Sequence, residues 1–382
     1  MTARPHGRLR RALRRARRLL GWSVLAAVIL AALAVGLASQ MLPLLARHPD
    51  AVARWLSEQI AVPVALDEVQ GQWNRAGPRL SLSGLRIGRP PEVLEIDRAQ
   101  LQVNIYSGLW PGVPLTELVL DKPELELHRD ADGRWRMDGF GRGQAGGSGR
   151  SQMQQLDRFG ALEVRNARLR FRDARSGLDR TLPRIDARMQ RIDGRLHVGA
   201  YLHGRSKGAR VRLAAELETD GQTGTLYLEG RAQDWARWMR GLAVHGVALS
   251  QARGDLRVWM DFVGGAATGM QFDADLAPFA LHAALDAGQD DGRIVEQSSH
   301  FASVKAQARG QRDPGGNWRL DVPVWQVAEE GGERIDVVRQ GHARRDATGL
   351  LRIQADALAL GPPLALARLA ASLPEPLRRW LG

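Results

Sequence analysis

Residues 246–262 read GVALSQARGDLRVWMDF. In the second half of that stretch Leu256, Val258, Met260 and Phe262 alternate with Asp255, Arg257, Trp259 and Asp261. A period of two puts successive side chains on opposite faces of an extended strand, so one face is apolar and the other wet. The same pattern recurs on both sides of this stretch. Leu80 and Leu82 alternate with serines, and Leu101, Val103 and Ile105 with Gln102 and Asn104. Leu125 and Leu127 alternate with Glu124, Glu126 and His128, while Leu169 and Phe171 are interleaved with Arg168, Arg170 and Arg172. Val211, Leu213 and Leu217, then Leu281, Ala283 and Leu285, then Trp318, Leu320 and Val322 continue it. Asp132-Gly133, Asp193-Gly194, Asp220-Gly221 and Asp291-Gly292 are two-residue hairpin signals, and Asp313-Pro314-Gly315-Gly316 is a longer turn. The spacing predicts a mainly β body of many antiparallel strands.

Two short helices are expected to interrupt or precede it. PDAVARWLSEQIA, residues 49–61, carries Pro49 and Asp50 at its start and places Val52, Trp55, Leu56 and Ile60 on one face. Asp234–Arg240 reads as a second helical break, and about 364–373, ahead of Pro374 and Pro376, as a helical end. GFGRGQAGGSGRS, residues 139–151, has the composition of a linker. The expected organisation is a basic tail at 1–18, a membrane helix at 19–38, a helix and first β segment at 39–140, a Gly-rich linker at 141–151, a second β segment at 152–363 and a helical, Pro-rich end at 364–382, the chain expected to be truncated there.

The membrane helix is expected from LLGWSVLAAVILAALAVGLA, residues 19–38, which holds no charge. Twenty helical residues rise about 30 Å, enough to cross a hydrocarbon core. Leu19, Leu20, Val24, Leu25 and Val28 with Ile29, Leu30, Leu33, Val35 and Leu37 favour insertion by about 3–6 kcal/mol in total. Trp22 sits where an interfacial ring is comfortable. Eight arginines and no acid precede the span, among them Arg14, Arg15, Arg17 and Arg18. Basic residues beside a spanning helix stay cytoplasmic, so the N-terminus is expected inside and the bulk of the chain on the far side. A cleaved signal peptide ending at Gly36-Leu37-Ala38 is the alternative, although the apolar run exceeds a usual signal core.

Composition narrows function. The net charge is +12, but beyond the first eighteen residues 46 basic residues face 42 acidic ones. With no basic, aromatic-interleaved patch, nucleic acid is not expected as a partner. There is no cysteine, which excludes disulfides and thiolate chemistry. Three lysines against 51 arginines suggest a GC-rich bacterial genome, in which the far side of the inner membrane is the periplasm.

Sequence fragments that resemble catalytic motifs fail on context. Gly141, Gly143 and Gly146 match GxGxxG without the strand and helix a dinucleotide site needs. GAYLHGRS, residues 199–206, places Arg205 where a phosphate loop has lysine, and a period-two run follows, so a hairpin is expected. No histidine pair has zinc-site spacing and no GxSxG elbow occurs. The acid pairs Asp290-Asp291 and Glu329-Glu330 read as solvated turns. No enzyme activity, metal or cofactor is expected.

An apolar sheet face must be covered by something. A second sheet would make a sandwich, while a curled sheet would leave a furrow. A phospholipid has about 30 tail carbons, and exposing them to water costs on the order of 25 kcal/mol. A sheet with its backbone already hydrogen-bonded offers such tails a track. Periodicity alone leaves furrow and sandwich both open.

The order of several segments carries a resemblance. HPDAVARWLSEQIAVPVALDEVQGQW at 48–73, PRLSLSGLRIG at 78–88, IYSGL at 105–109 and LVLDKPELELHRDADGRWRM at 118–137 are followed by RAQDWARWMRGL at 231–242 and by the stretch quoted first. With the basic tail and membrane helix before them, these resemble the YhdP-type, AsmA-like family of Gram-negative bacteria, related to TamB-like and bridge-like lipid transfer proteins, over most of residues 1–310. The resemblance implies a single-pass inner-membrane anchor and an elongated, curled antiparallel sheet forming an apolar groove. It implies phospholipid transport toward the outer membrane and envelope integrity, without catalysis or cofactor. Partners would be phospholipid, the inner membrane and outer-membrane or periplasmic proteins. The groove would be lined by Leu80, Leu82, Leu101, Val103, Ile105, Leu125, Leu127, Leu169, Phe171, Val211, Leu213, Leu217, Val258, Met260 and Phe262, with helix 49–61 at the entry. YhdP-like chains are usually much longer, so the resemblance implies a fragment, a split reading frame or a short relative. The alternatives are a scaffold for outer-membrane biogenesis, using an edge strand, and a membrane-anchored enzyme.

Overall fold

The computed structural model describes residues 47–60, 62–90, 92–107, 113–130, 135–137, 160–174, 177–218, 222–244, 246–286, 294–312, 315–345 and 351–369, together with Ile29, Gly36 and Gln40. Those three isolated residues are helical. The rest of the expected span at 19–38, the basic tail, the Gly-rich linker and the hairpins at 132–133, 220–221 and 291–292 lie outside the described residues. Among the described residues no helix is long and apolar enough to cross a membrane.

Among the described residues twenty-one strands form one sheet. Strands β1 (Val64–Ala65), β2 (Glu68–Asn74), β3 (Gly77–Arg89), β4 (Glu92–Val103) and β5 (Thr116–Asp121) open it, followed by β6 (Glu124–Arg129) and β7 (Trp135–Met137). The middle holds β8 (Ala161–Asp173), β9 (Leu178–Ile192), β10 (Arg195–His203), β11 (Arg210–Leu217) and β12 (Gly224–Asp234). Then come β13 (Ala243–Val244), β14 (Val247–Val263), β15 (Ala266–Asp286), β16 (Ile294–Phe301), β17 (Ser303–Arg312) and β18 (Trp318–Ala328). The last are β19 (Arg334–Arg345), β20 (Leu351–Gln354) and β21 (Ala357–Leu358). Among the described residues three continuous helices accompany them: α1 (Pro49–Ile60), α2 (Trp235–Trp238) and α3 (Gly361–Arg368).

The antiparallel expectation needs one correction. β5 and β6 both run parallel to β8, at Glu117↔Ala161 and Glu124↔Arg168 onward. That pairing joins the two β segments expected on either side of the linker into one continuous sheet. Parallel neighbours need a long crossover, and residues 130–160 supply the length. The Asp193-Gly194 hairpin is as expected, with φ of 50° and 80°, the backbone of a type I′ turn. Gly264-Gly265, at 59° and 77°, makes a second one.

The sheet bends at bulges. Asn166 and Ala232 adopt φ of 53° and 50° where the β8–β9 and β12–β14 registers shift. Each left-handed residue has its N–H held by a carboxylate on a neighbouring strand: Asn166 donates to Asp186 at 2.8 Å and Ala232 to Asp255 at 2.7 Å. Burial pushes the Asp186 carboxyl up, but the Asn166 N–H, Arg184 and His203 outweigh it and hold it below its ordinary value. A depressed folded-state pKa contributes stability that is complete above the unfolded value of 3.8 and is lost as pH falls through the lower folded value. Hydrogen-exchange protection of β8–β10 is therefore expected to drop as pH falls below the unfolded value of 3.8. Asp186→Asn is expected to flatten that dependence, measured by exchange at matched pH.

Helix α1 packs Val52, Ala53 and Leu56 against Leu66, Leu82, Leu85, Ile87 and Ile96, forming a sealed core at the start of the sheet. Two departures from expectation occur here. Trp55 is 40% exposed instead of facing the core, and β4 ends at Val103, so Ile105 lies in the following turn, 44% exposed. The side chain of Ile60 lies outside the described part.

Candidate functional site

Registers place apolar residues opposite one another from strand to strand. One row begins Gly71–Leu80–Leu101–Leu118–Leu162–Met189, on β2, β3, β4, β5, β8 and β9. It continues Val198–Ala215–Leu226–Met260–Met270 on β10, β11, β12, β14 and β15. It ends Gly310–Leu320–Ala343–Ile353 on β17 to β20. Fifteen strands contribute, and none places a polar side chain in the row. A second row, Val164–Ala187–Ala200–Leu213–Leu228–Val258–Phe272, lies two residues away. A third runs Ile185–Leu202–Val211–Gly230–Leu256–Ala274. At strand spacing of ~4.8 Å the first row is roughly 65 Å long, and three rows two residues apart are about 14 Å wide.

The opposite face is polar and its charges alternate. Arg212, Glu229, Arg257 and Asp273 stand opposite one another across β11, β12, β14 and β15, and Arg257 lies 3.3 Å from Asp273. Opposite charges in register support a sheet, whereas like charges would weaken it. All the described strands belong to one hydrogen-bonded sheet. The described residues therefore contain no second sheet over the apolar face.

Depth along the track changes systematically. At its start Leu82 is 1% and Leu101 2% exposed, both in the core cluster that α1 joins. From β8 onward Leu162, Val198, Leu226 and Met260 are half-buried, and Leu320 and Ile353 are exposed. Fourteen of the fifteen expected groove residues lie on strands, the exception being Ile105. Leu80, Leu101 and Met260 share the first row, and Leu82, which pairs with Val69 and Ala99, heads the second, which holds Leu213 and Val258. Leu217 and Phe262 flank the first row through Gly224, and Val103 pairs with Thr116. Leu125 and Leu127 pair with Leu169 and Phe171. Leu82, Leu101 and Val211 differ in being fully packed, the last at 2% exposure.

What covers Val211 is α2. Asp234 caps the helix by accepting from the Arg237 N–H at 3.0 Å. Trp235, 4% exposed, packs on Val211, Ala252, Ala274 and Leu276, and its indole N–H donates to the Gly254 carbonyl at 3.0 Å. A Cβ on Gly230 would stand 2.6 Å from that ring, so the missing side chain is what admits it. Gln233 is buried with its amide satisfied: its oxygen accepts from the Arg210 N–H at 3.0 Å and its nitrogen donates to the Arg231 carbonyl at 2.6 Å. Helix α2 thus roofs the third row and leaves the first two open.

No group of three or more potential metal ligands occurs among the described residues. Residues 199–206 form the end of β10 and its hairpin loop, as their alternation requires. Glu329 and Glu330 are exposed in a turn. No curated protein and no solved structure matches the chain. A family model described as YhdP protein matches residues 1–382, the whole sequence. The chain belongs to the YhdP family.

Proposed function

We propose that the protein is a non-catalytic conduit for phospholipid acyl chains, anchored in the inner membrane with its sheet in the periplasm, serving transport toward the outer membrane. The observation that carries this reading is the unbroken apolar row from Gly71 to Ile353, open from β8 onward and backed by a charged face. Burying an acyl methylene is worth ~0.8 kcal/mol, and a 65 Å row keeps tails covered over its whole length. Family membership and a single large open sheet support the same reading.

The test is photo-crosslinking in cells. A crosslinking amino acid at Leu226 or Met260 is expected to capture phospholipid, identified by mass spectrometry. The same probe at Gln271, on the polar face, is expected to capture none. Equal capture on the two faces, or no lipid at any track position, would overturn the conduit.

A further inference from the structure

Beside the roofed row lies a cavity of about 780 Å³. Four parts of the sheet converge on it: the start of β9, the β10–β11 hairpin loop, the passage from β12 into α2, and β14. Its walls carry seven cations and two carboxylates. The cations are Arg180, Arg205, Lys207, Arg231, Arg237, Arg240 and Arg253. Both carboxylates are committed elsewhere. Asp179 binds Arg170 at 2.7 Å and Asp234 caps α2. Arg231 binds Glu229 at 2.8 Å. Among the described residues the other six cations have no carboxylate within ion-pair distance.

Many arginines elsewhere among the described residues have a carboxylate partner. On the polar face Arg165 pairs with Glu163, Arg188 with Glu117 and Arg257 with Asp273. Six cations without carboxylate partners around one concavity give a positive local potential, which the concave shape focuses and a bound anion would neutralise. Guanidinium forks suit phosphate oxygens in particular. The cavity is also bounded by Leu182, Pro183 and Trp238, and Trp238 packs with the cluster formed by Val211, Ala252 and Leu276. One indole therefore borders both the cationic cavity and the apolar rows.

We infer that this cavity binds a phosphate-bearing anion, and that on the conduit reading, on which the lipid form of the inference rests, it seats the headgroup of a phospholipid whose tails lie on the track. A selective headgroup site would favour net-anionic lipids over zwitterionic ones with identical tails.

The experiment uses the full chain in dodecyl maltoside, titrated with dihexanoyl phosphatidylglycerol, dihexanoyl phosphatidylcholine and inorganic phosphate. The phosphatidylglycerol probe is expected to bind at least tenfold more tightly than the phosphatidylcholine probe, with the preference shrinking as salt rises from 50 to 500 mM. Arg205→Gln/Lys207→Gln/Arg240→Gln, all at exposed positions, is expected to erase the preference, with phosphatidylglycerol affinity falling at least tenfold to the level of phosphatidylcholine. Arg205→Lys/Arg240→Lys is expected to keep most of it. Inorganic phosphate binding that the triple variant abolishes, with neither lipid bound, would keep the anion site and defeat the conduit. Lipid binding with no anionic preference, or a preference surviving in the triple variant, would defeat the headgroup site and leave the conduit standing.

Discussion

The double substitution Leu226→Asp/Val258→Asp is expected to stop phospholipid passage at the middle of the sheet. Leu226 lies in the first apolar row and Val258 in the second, diagonally across β12 and β14. The third row is roofed there by Trp235, so the two carboxylates span the whole open width. Leaving two methylenes of a passing tail wet costs ~1.6 kcal/mol, and dehydrating a carboxylate adds several more. Each 1.4 kcal/mol is a factor of ten, so passage is expected to fall well beyond tenfold. Both sites are half-buried and diagonal, so the charges avoid direct opposition and the sheet is expected to stay folded. Lipid crosslinking at Leu320, beyond the barrier, is expected to fall with passage, while crosslinking at Leu162, before it, persists. Gln271→Asp on the polar face serves as the control and is expected to change neither. Undiminished crosslinking at Leu320 in the double variant would mean that tails do not travel along these rows.

The alternation around Leu256–Phe262 carries the face assignment, and strand registers convert that into rows. Depth is a different property. Leu82, Leu101 and Val211 show the same periodicity as Leu213 and Met260, yet they are buried in the cores that α1 and Trp235 join. Period two reports which side of the sheet a residue takes and says nothing of what is laid over it. The left-handed residues Asn166, Ala232 and Gln340 leave no such trace, because none of them is a glycine. For two of them the holding group is a carboxylate on a neighbouring strand, at Asp186 and Asp255. The parallel pairing of β5 and β6 with β8 depends on a crossover that composition marks only as a linker. The cationic cavity draws from residues between Asp179 and Arg253, so no local window contains it. Its one local trace is Arg205 in GAYLHGRS, where a failed phosphate loop still turns out to present cations.

Trp235→Ala is expected to cost about 3–5 kcal/mol of local stability, the range for deleting a buried tryptophan. The ring fills the space between Val211, Ala252, Ala274 and Leu276, and its loss also strips the Gly254 carbonyl of a donor. Because the strands are joined neighbour to neighbour in one sheet, the loss is expected to stay local, as in quasi-one-dimensional proteins. Amide exchange is therefore expected to accelerate in β11, β12 and β14 and to hold in β3, β4 and β5. Gly230 supplies the counterpart. A methyl there would collide with the indole, so Gly230→Ala alone is expected to cost about 1–3 kcal/mol by overpacking. In the Trp235→Ala background the collision with the indole is gone and only the 2.9 Å approach to Gln233 Cγ remains, so the same methyl is expected to cost clearly less. That non-additivity is the signature of direct contact. Additive costs would place the ring elsewhere, and the third row would then be as open as the other two.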